Sequence, residues 1–168
     1  MPEAVIIAGA NGAGKTTFAR KFVPARFPEA QFINADEISR ESDVFAHPVA
    51  AGREMLRRLR QVIDKREDFA IETTLASRSY AQQIPHWQKY GYRVTLHFIK
   101  VPSADFSVDR VAQRVAHGGH QIPEADIRRR YERGLHLFNE TYRTIIDAWY
   151  HWATSNKGLS LVAENKTT

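Results

Sequence analysis

Along the chain, short continuous apolar runs alternate with stretches in which apolar residues recur every three or four positions. Residues 4–8, 31–34, 69–73 and 93–100 have the length and the β-branched or aromatic content of strands. Between them, residues 18–22, about 48–66 and 77–90 carry the helical period, the last closed by Gly91. Pro102 ends the fourth strand, and Val108, Val111 and Val115 then mark a helix broken at Gly118-Gly119. Pro123 suits a first helical turn. From it a helix is predicted to about Ile146, with Ile127, Tyr131, Leu135, Phe138, Tyr142 and Ile145 forming the stripe that packs on the sheet. Residues 149–154 and 159–163 are short and aromatic or apolar, and one or both supply a last strand. Strands and helices in alternation predict an α/β domain, with an open, mostly parallel sheet of about five strands and helices on both faces. The domain is expected to span residues 1–164, with 165–168 a frayed tail.

Ligands of an open parallel sheet sit beyond the carboxyl ends of its strands. The first strand runs into Gly9-Ala10-Asn11-Gly12-Ala13-Gly14-Lys15-Thr16, which matches G-x-x-x-x-G-K-[ST] between a strand and a helix. Such a P-loop points consecutive backbone N–H groups at one anion, and the helix that follows adds its positive end. The predicted nucleotide-binding set is Gly9, Asn11, Gly12, Ala13, Gly14, Lys15, Thr16 and Thr17, with Lys15 a point charge and Thr16 a Mg²⁺ ligand. The competing reading is an ordinary glycine-rich turn.

The second and third strands deliver Asn34 with Asp36, and Glu72 with Thr73 and Thr74, to the same end of the sheet. Asp36 is placed to act as a general base or Mg²⁺-shell carboxylate, or else it caps the Glu37-Ile38-Ser39 turn. Glu37 reads as a solvated first-turn acid. Glu72 interrupts an apolar strand, where an unpaired charge is costly. Its partner is Mg²⁺, acceptor hydroxyls, an arginine or a structural salt bridge. Thr73 and Thr74 bond the acceptor or cap the helix from Ser77.

Arg110, Arg114, His117, His120, Arg128, Arg129 and Arg130 flank the double glycine and suggest an arginine-rich lid. With Ile127 and Tyr131 facing the core, Arg128 and Arg130 fall about 80° to either side and Arg129 faces solvent. Arg110 and Arg114 share a face, Arg114 nearer its apolar edge. Arginines closing on a transferring phosphoryl group stabilise its charge; a solvated basic face is the alternative. His117 and His120 have no third ligand nearby for zinc and suit a turn or a nucleotide contact. Trp149, Tyr150 and Trp152 read as core rather than as an RNA-stacking platform.

At 168 residues and 43% hydrophobic, the chain suffices for one core and not two. The charge of +5 and a pI near 9.6 favour anionic partners: nucleotides, phosphorylated sugars or RNA. The absence of cysteine removes disulfides and thiolate chemistry, and there is no Asn-Lys-x-Asp guanine signature. The chain enters its first strand without room for a signal peptide, and no apolar run approaches the ~20 residues of a membrane span. A cytoplasmic protein with no membrane association is expected.

Together with the P-loop, the motifs Asn34-Ala35-Asp36-Glu37-Ile38, Ile71-Glu72-Thr73-Thr74-Leu75 and Arg114-Val115-Ala116-His117-Gly118-Gly119-His120, followed by Arg128-Arg129-Arg130-Tyr131, resemble the zeta toxin family of P-loop kinases. The resemblance covers nearly the whole chain. It implies a kinase-like domain that uses ATP and Mg²⁺ to phosphorylate a hydroxyl of a small acceptor, first a UDP-N-acetyl sugar, and that an antitoxin protein restrains. By the same resemblance Lys15 binds the β/γ-phosphates, Thr16 the Mg²⁺, Asp36 is the base, and Glu72 with Thr74 contacts the acceptor. The family's acceptor-contacting arginine falls on Ala76 here, with Arg78 the nearest substitute; the family's two phosphate-clamping arginines fall among Arg110, Arg114, Arg128 and Arg130, of which Arg114 and Arg128 are expected to be catalytic with Lys15 and Asp36. An RNA or nucleotide-end kinase and a nucleotide-binding interaction module are the alternatives.

Overall fold

The computed structural model describes residues 1–155 and 158–166. In chain order the elements are β1 (Glu3–Gly9), α1 (Lys15–Arg26), β2 (Gln31–Ile33), α2 (Ala35–Glu41), α3 (Pro48–Lys65), β3 (Phe69–Thr73) and α4 (Ser79–Lys89). They continue with β4 (Arg93–Lys100), α5 (Ala104–Ala116), α6 (Glu124–Glu140), β5 (Ala148–Ser155) and β6 (Gly158–Lys166), and single 3₁₀ turns lie at Asp43–Phe45 and Tyr142–Thr144. The sheet order is β2-β3-β1-β4-β5-β6. Five strands run parallel and β6 returns antiparallel to β5. β2 and β3 lie on one side of β1 and β4 on the other, so the strand order reverses at β1 and a crevice opens beyond its carboxyl end.

Strand alternation divides the interior in two. Ala4, Ile6 and Ala8 face α3, α4 and α6, where Leu59, Trp87 and Phe138 are buried with them. Val5 and Ile7 face α1, against Ala19 and Val23. Each fully buried large apolar side chain contributes about 1.5–3 kcal/mol, and β1, flanked on both edges and both faces, is the least exposed strand.

The structure settles three details at the carboxyl-terminal end of the described chain. The sheet has six strands, because both C-terminal apolar runs pair, and the short connection between Ser155 and Gly158 allows only antiparallel pairing. α6 stops at Glu140 rather than near Ile146. Its 17 residues cover about 25 Å, and the chain leaves the helix at Thr141 for a 3₁₀ turn over Tyr142–Thr144. Tyr142 and Ile146 stay in phase with its stripe because the 3₁₀ turn drops them into the same core, and the Tyr142 hydroxyl donates to the Ser77 carbonyl at 2.6 Å. β6 runs to Lys166; residues 167–168, part of the expected tail, lie outside the described residues. Among the described residues, no helix is long and apolar enough to cross a membrane.

Candidate active site

Beyond β1 the chain curls through residues 10–14 into α1. Gly12 has φ of 76°, and a Cβ there would lie 2.7 Å from the Arg110 Cβ, so glycine lets α5 press directly on the loop. Lys15, the first residue of α1, is only 8% exposed and donates from Nζ to the Ala10 carbonyl at 2.9 Å. Burial lowers its pKa, and the Glu72 carboxylate, 4.0 Å away, opposes that shift.

Glu72 is the hub. β3 is a central strand, and its last turnward residues bring this carboxylate beside the P-loop helix. Its Oε2 accepts from the Thr16 hydroxyl at 2.8 Å and from Asn34 Nδ2 at 2.9 Å. Burial pushes the Glu72 carboxyl up; Lys15 and the Thr16 hydrogen bond pull it back. The partner that the sequence required for this carboxylate is therefore a lysine, a hydroxyl and an amide together.

Asn34 is the N-cap of α2, its Oδ1 accepting from the Asp36 N–H at 2.9 Å. Asp36 thus sits inside the first turn and does not cap the helix; its exposed side chain faces the cleft. Glu37 turns away and pairs with Arg20 at 3.0 Å.

Three cavities meet here. One of 530 Å³ lies on the P-loop side, lined by Gly12, Gly14, Thr16, Thr17, Arg110 and Arg114. A central one of 320 Å³ is lined by Asn11, Asn34, Asp36, Thr73, Thr74 and Arg130, and Lys15 and Glu72 border both. A third, of 560 Å³, shares Asp36, Pro48 and the 120–122 loop with the central one and adds Arg40 and Arg114.

The sequence-predicted residues divide accordingly. Gly9, packed against the Ile99 carbonyl, and the buried Ala13 shape the loop, while Asn11, Gly12, Gly14, Lys15, Thr16 and Thr17 line the two cavities beside it. Arg114 reaches two cavities and donates to the His120 carbonyl at 3.4 Å. Arg128 instead binds Asp105 and Glu124, each at 2.7 Å, on the α5 side of α6; of the two flanks of the stripe, Arg130 holds the one that faces the cleft. Arg78 is exposed at the start of α4, away from the cleft lining. Thr73 holds the turn, its Oγ1 accepting from the Leu75 N–H at 3.0 Å, with Leu75 in the left-handed region at φ 59°. The bridging role of Asn34 was missed, although an asparagine ahead of Ala-Asp at a strand end is an N-cap signal. Gln121 and Ile122 carried no signal, being loop residues outside any period. Among the described residues no His, Asp and Glu group forms a metal cluster. Thr16 Oγ1 and Glu72 Oε2 are nevertheless adjacent hard oxygens of the kind Mg²⁺ uses with phosphates.

The zeta toxin family model matches residues 1–149 of the chain. An uncharacterised protein of Haemophilus influenzae is 28% identical over 132 residues, 77% of this chain and 92% of that protein. The structure is similar to a chain of the PezAT chromosomal toxin–antitoxin system of Streptococcus pneumoniae, with a TM-score of 0.68 at 18% identity over 98% of this chain and 72% of that one. It is also similar to a chain of the AvrRxo1-ORF1:-ORF2 complex with ATP, with a TM-score of 0.65 at 15% identity, covering 99% of this chain and 59% of that one.

Proposed function

We propose, for a chain that belongs to the zeta toxin family and is a P-loop phosphotransferase, that it moves the γ-phosphoryl group of ATP onto a hydroxyl of a small anionic acceptor. One observation carries this reading: Lys15 and Glu72 stand between the P-loop cavity and the central cavity, and Asp36 stands where the central and third cavities join. A nucleotide in the first and an acceptor in the other two bring the γ-phosphoryl group and a hydroxyl together across that boundary. Catalysis is then mainly positioning and charge stabilisation. The acceptor O–H proton passes to the Asp36 carboxylate, the acceptor oxygen bonds to the γ-phosphorus, and the bond to the β-phosphate oxygen breaks to release ADP. Lys15, buried and preorganised, offsets charge on the transferring group, with Arg114 and Arg130 converging from the lid side. Thr16 and Glu72 would hold Mg²⁺, which supplies charge neutralisation at the β/γ-phosphates.

The acceptor side supports an anionic substrate, since Arg40, Arg114 and Arg130 border it. A UDP-N-acetyl sugar is the first candidate, and a toxin role restrained by an antitoxin protein goes with it. The test is transfer of label from γ-labelled ATP into a panel of UDP-sugars, nucleosides and short RNAs. Label is expected in a UDP-N-acetyl sugar, and Asp36→Asn is expected to lower the rate by about 10²–10⁴ while ATP still binds. Label in RNA alone would overturn the acceptor, and unchanged turnover in Asp36→Asn would remove it as the base.

A further inference from the structure

The carboxylate assigned as base stands on a weak platform. α2 has seven residues and one buried side chain, Ile38, and a helix that short does not hold its shape in water unaided. The ion pairs Arg20 to Glu37 and Arg58 to Glu41 tie down its outer surface, but both lie at the solvent boundary, where such pairs contribute little. Proton transfer needs Asp36 within hydrogen-bond reach of the acceptor hydroxyl, and a displacement of about 1 Å can cost about 10²-fold in rate. A firmer link must fix the first turn of α2.

Asn34 is in the position to supply it. β2 pairs in parallel with β3, Ile33 beside Ile71, so the next residues, Asn34 and Glu72, emerge at the same level of the crevice. Asn34 is 5% exposed. Its amide oxygen accepts from the Asp36 N–H and its amide nitrogen donates to Glu72 Oε2, each at 2.9 Å. Its backbone carbonyl accepts from the Glu37 and Ile38 N–H groups at 3.1 and 3.0 Å. The far end of the link is firm, because Glu72 also accepts from Thr16 at 2.8 Å and lies 4.0 Å from the Lys15 ammonium group, both on the P-loop helix. Short polar contacts thus run from Thr16 through Glu72 and Asn34 to the turn that carries Asp36. The run is asymmetric: without the Asn34 amide, Glu72 keeps Thr16 and Lys15, whereas α2 keeps Ile38 and its exposed ion pairs. Glu72 is the anchor, and Asp36 is the group being placed.

We propose that Asn34 is a positioning residue for phosphoryl transfer, which holds the Asp36 carboxylate at a fixed distance from the P-loop by spanning from Glu72 to the α2 backbone. This rests on Asp36 being the base. Asn34 borders the central cavity, but its amide oxygen and nitrogen are committed to protein partners, so it acts through Asp36 and not on the substrate. Serine and aspartate match asparagine as N-caps. The single short hydroxyl of serine cannot reach both the Asp36 N–H and Glu72, and an aspartate would set an acceptor against an acceptor. Asparagine is the capping residue that also spans the gap.

Turnover of the full chain is read as ADP released from MgATP, with UDP-N-acetylglucosamine or water alone as acceptor. Asn34→Ser is expected to keep the far-ultraviolet circular dichroism and hold the KM for ATP within about threefold, while kcat falls about 10- to 100-fold. In the Asp36→Asn background the same substitution should change kcat by less than about twofold, because a residue that places a base has no effect once the base is gone. ¹⁵N relaxation of the Asp36 and Glu37 amides should show a first turn that is rigid in the unsubstituted chain and mobile in Asn34→Ser. Unchanged kcat in Asn34→Ser, multiplicative losses in the double variant, a rise in the KM for ATP that accounts for the loss, or an equally rigid first turn would each overturn the proposal. Unchanged turnover in Asp36→Asn alone would remove the base itself, a failure seen with Asn34 intact and so distinct from the others. If Asn34→Ser does not fold, Asn34→Asp, which keeps the capping oxygen and lacks the amide donor, runs the same cycle with the same expected outcomes.

Discussion

Asn34 divides one amide between two functional positions: its oxygen caps α2 through the Asp36 N–H, and its nitrogen donates to Glu72. Asn34→Asp keeps the capping oxygen but sets a second carboxylate against Glu72, whose own carboxyl burial already pushes up. A loss of about 2–3 kcal/mol at pH 7 is expected from urea denaturation. The facing carboxyls of that variant have raised folded pKa values, so the unfolded chain binds fewer protons, and the deficit should shrink as pH falls toward 4. A deficit independent of pH would assign it to the lost Nδ2 donor alone rather than to carboxylate repulsion. Arg128 and Arg130 make the complementary case. Arg128→Ala removes solvent-screened surface ion pairs to Asp105 and Glu124, should leave the thermal midpoint nearly unchanged, and should leave turnover near wild type. Arg130→Ala should lower kcat/KM at least about tenfold. Equal effects on turnover would refute the division between the two flanks. Helical angles read from sequence placed both arginines symmetrically beside the stripe, and nothing local to α6 distinguishes the flank facing α5 from the flank facing the cleft.

At the scale of elements, the contact between α6 and the turn after β3 positions the acceptor-side cavity. Gly134 packs against that turn so closely that a Cβ would meet the Thr74 carbonyl oxygen at 2.5 Å. Gly134→Ala should cost about 1–3 kcal/mol by thermal denaturation, because backbone rather than a flexible side chain must move. It should raise the KM of the acceptor more than that of ATP, since Thr74 lines the central cavity and not the P-loop cavity. An equal rise in both would mean the displacement spreads to the nucleotide side. β3 and β4 have the ends their apolar runs predict, because Gly, Pro and charge bound those runs sharply. α6 does not, because a 3₁₀ turn continues the same buried stripe, and periodicity alone cannot see the backbone leave the helix at Thr141. At α2 the sequence predicts only a turn, because seven residues with one buried side chain carry too little period to announce a helix.

Across the whole molecule, acid stability should report the buried imidazole at the far end of the sheet. His97 stays neutral in the fold down to about 3, whereas in the unfolded chain it titrates near the ordinary 6.5. Between those values the unfolded state binds more protons, so stability is lost as pH falls, by about 2 kcal/mol from neutrality to pH 5. Denaturant midpoints at pH 7 and pH 5 check this; His97→Gln should lose that part of the slope, and an unchanged slope would place it elsewhere. By itself the sequence determined the α/β alternation, the P-loop and the delivery of Asp36 and Glu72 to one end of a parallel sheet, because strand periodicity, glycine spacing and strand polarity are local properties. Only the tertiary structure decided that Glu72 is held by Lys15, Thr16 and Asn34, that Arg130 rather than Arg128 faces the cleft, and that the last two runs close as a hairpin. Those outcomes depend on which surfaces meet across strands distant in sequence, and burial, hydrogen-bond satisfaction and charge pairing are set only when they do.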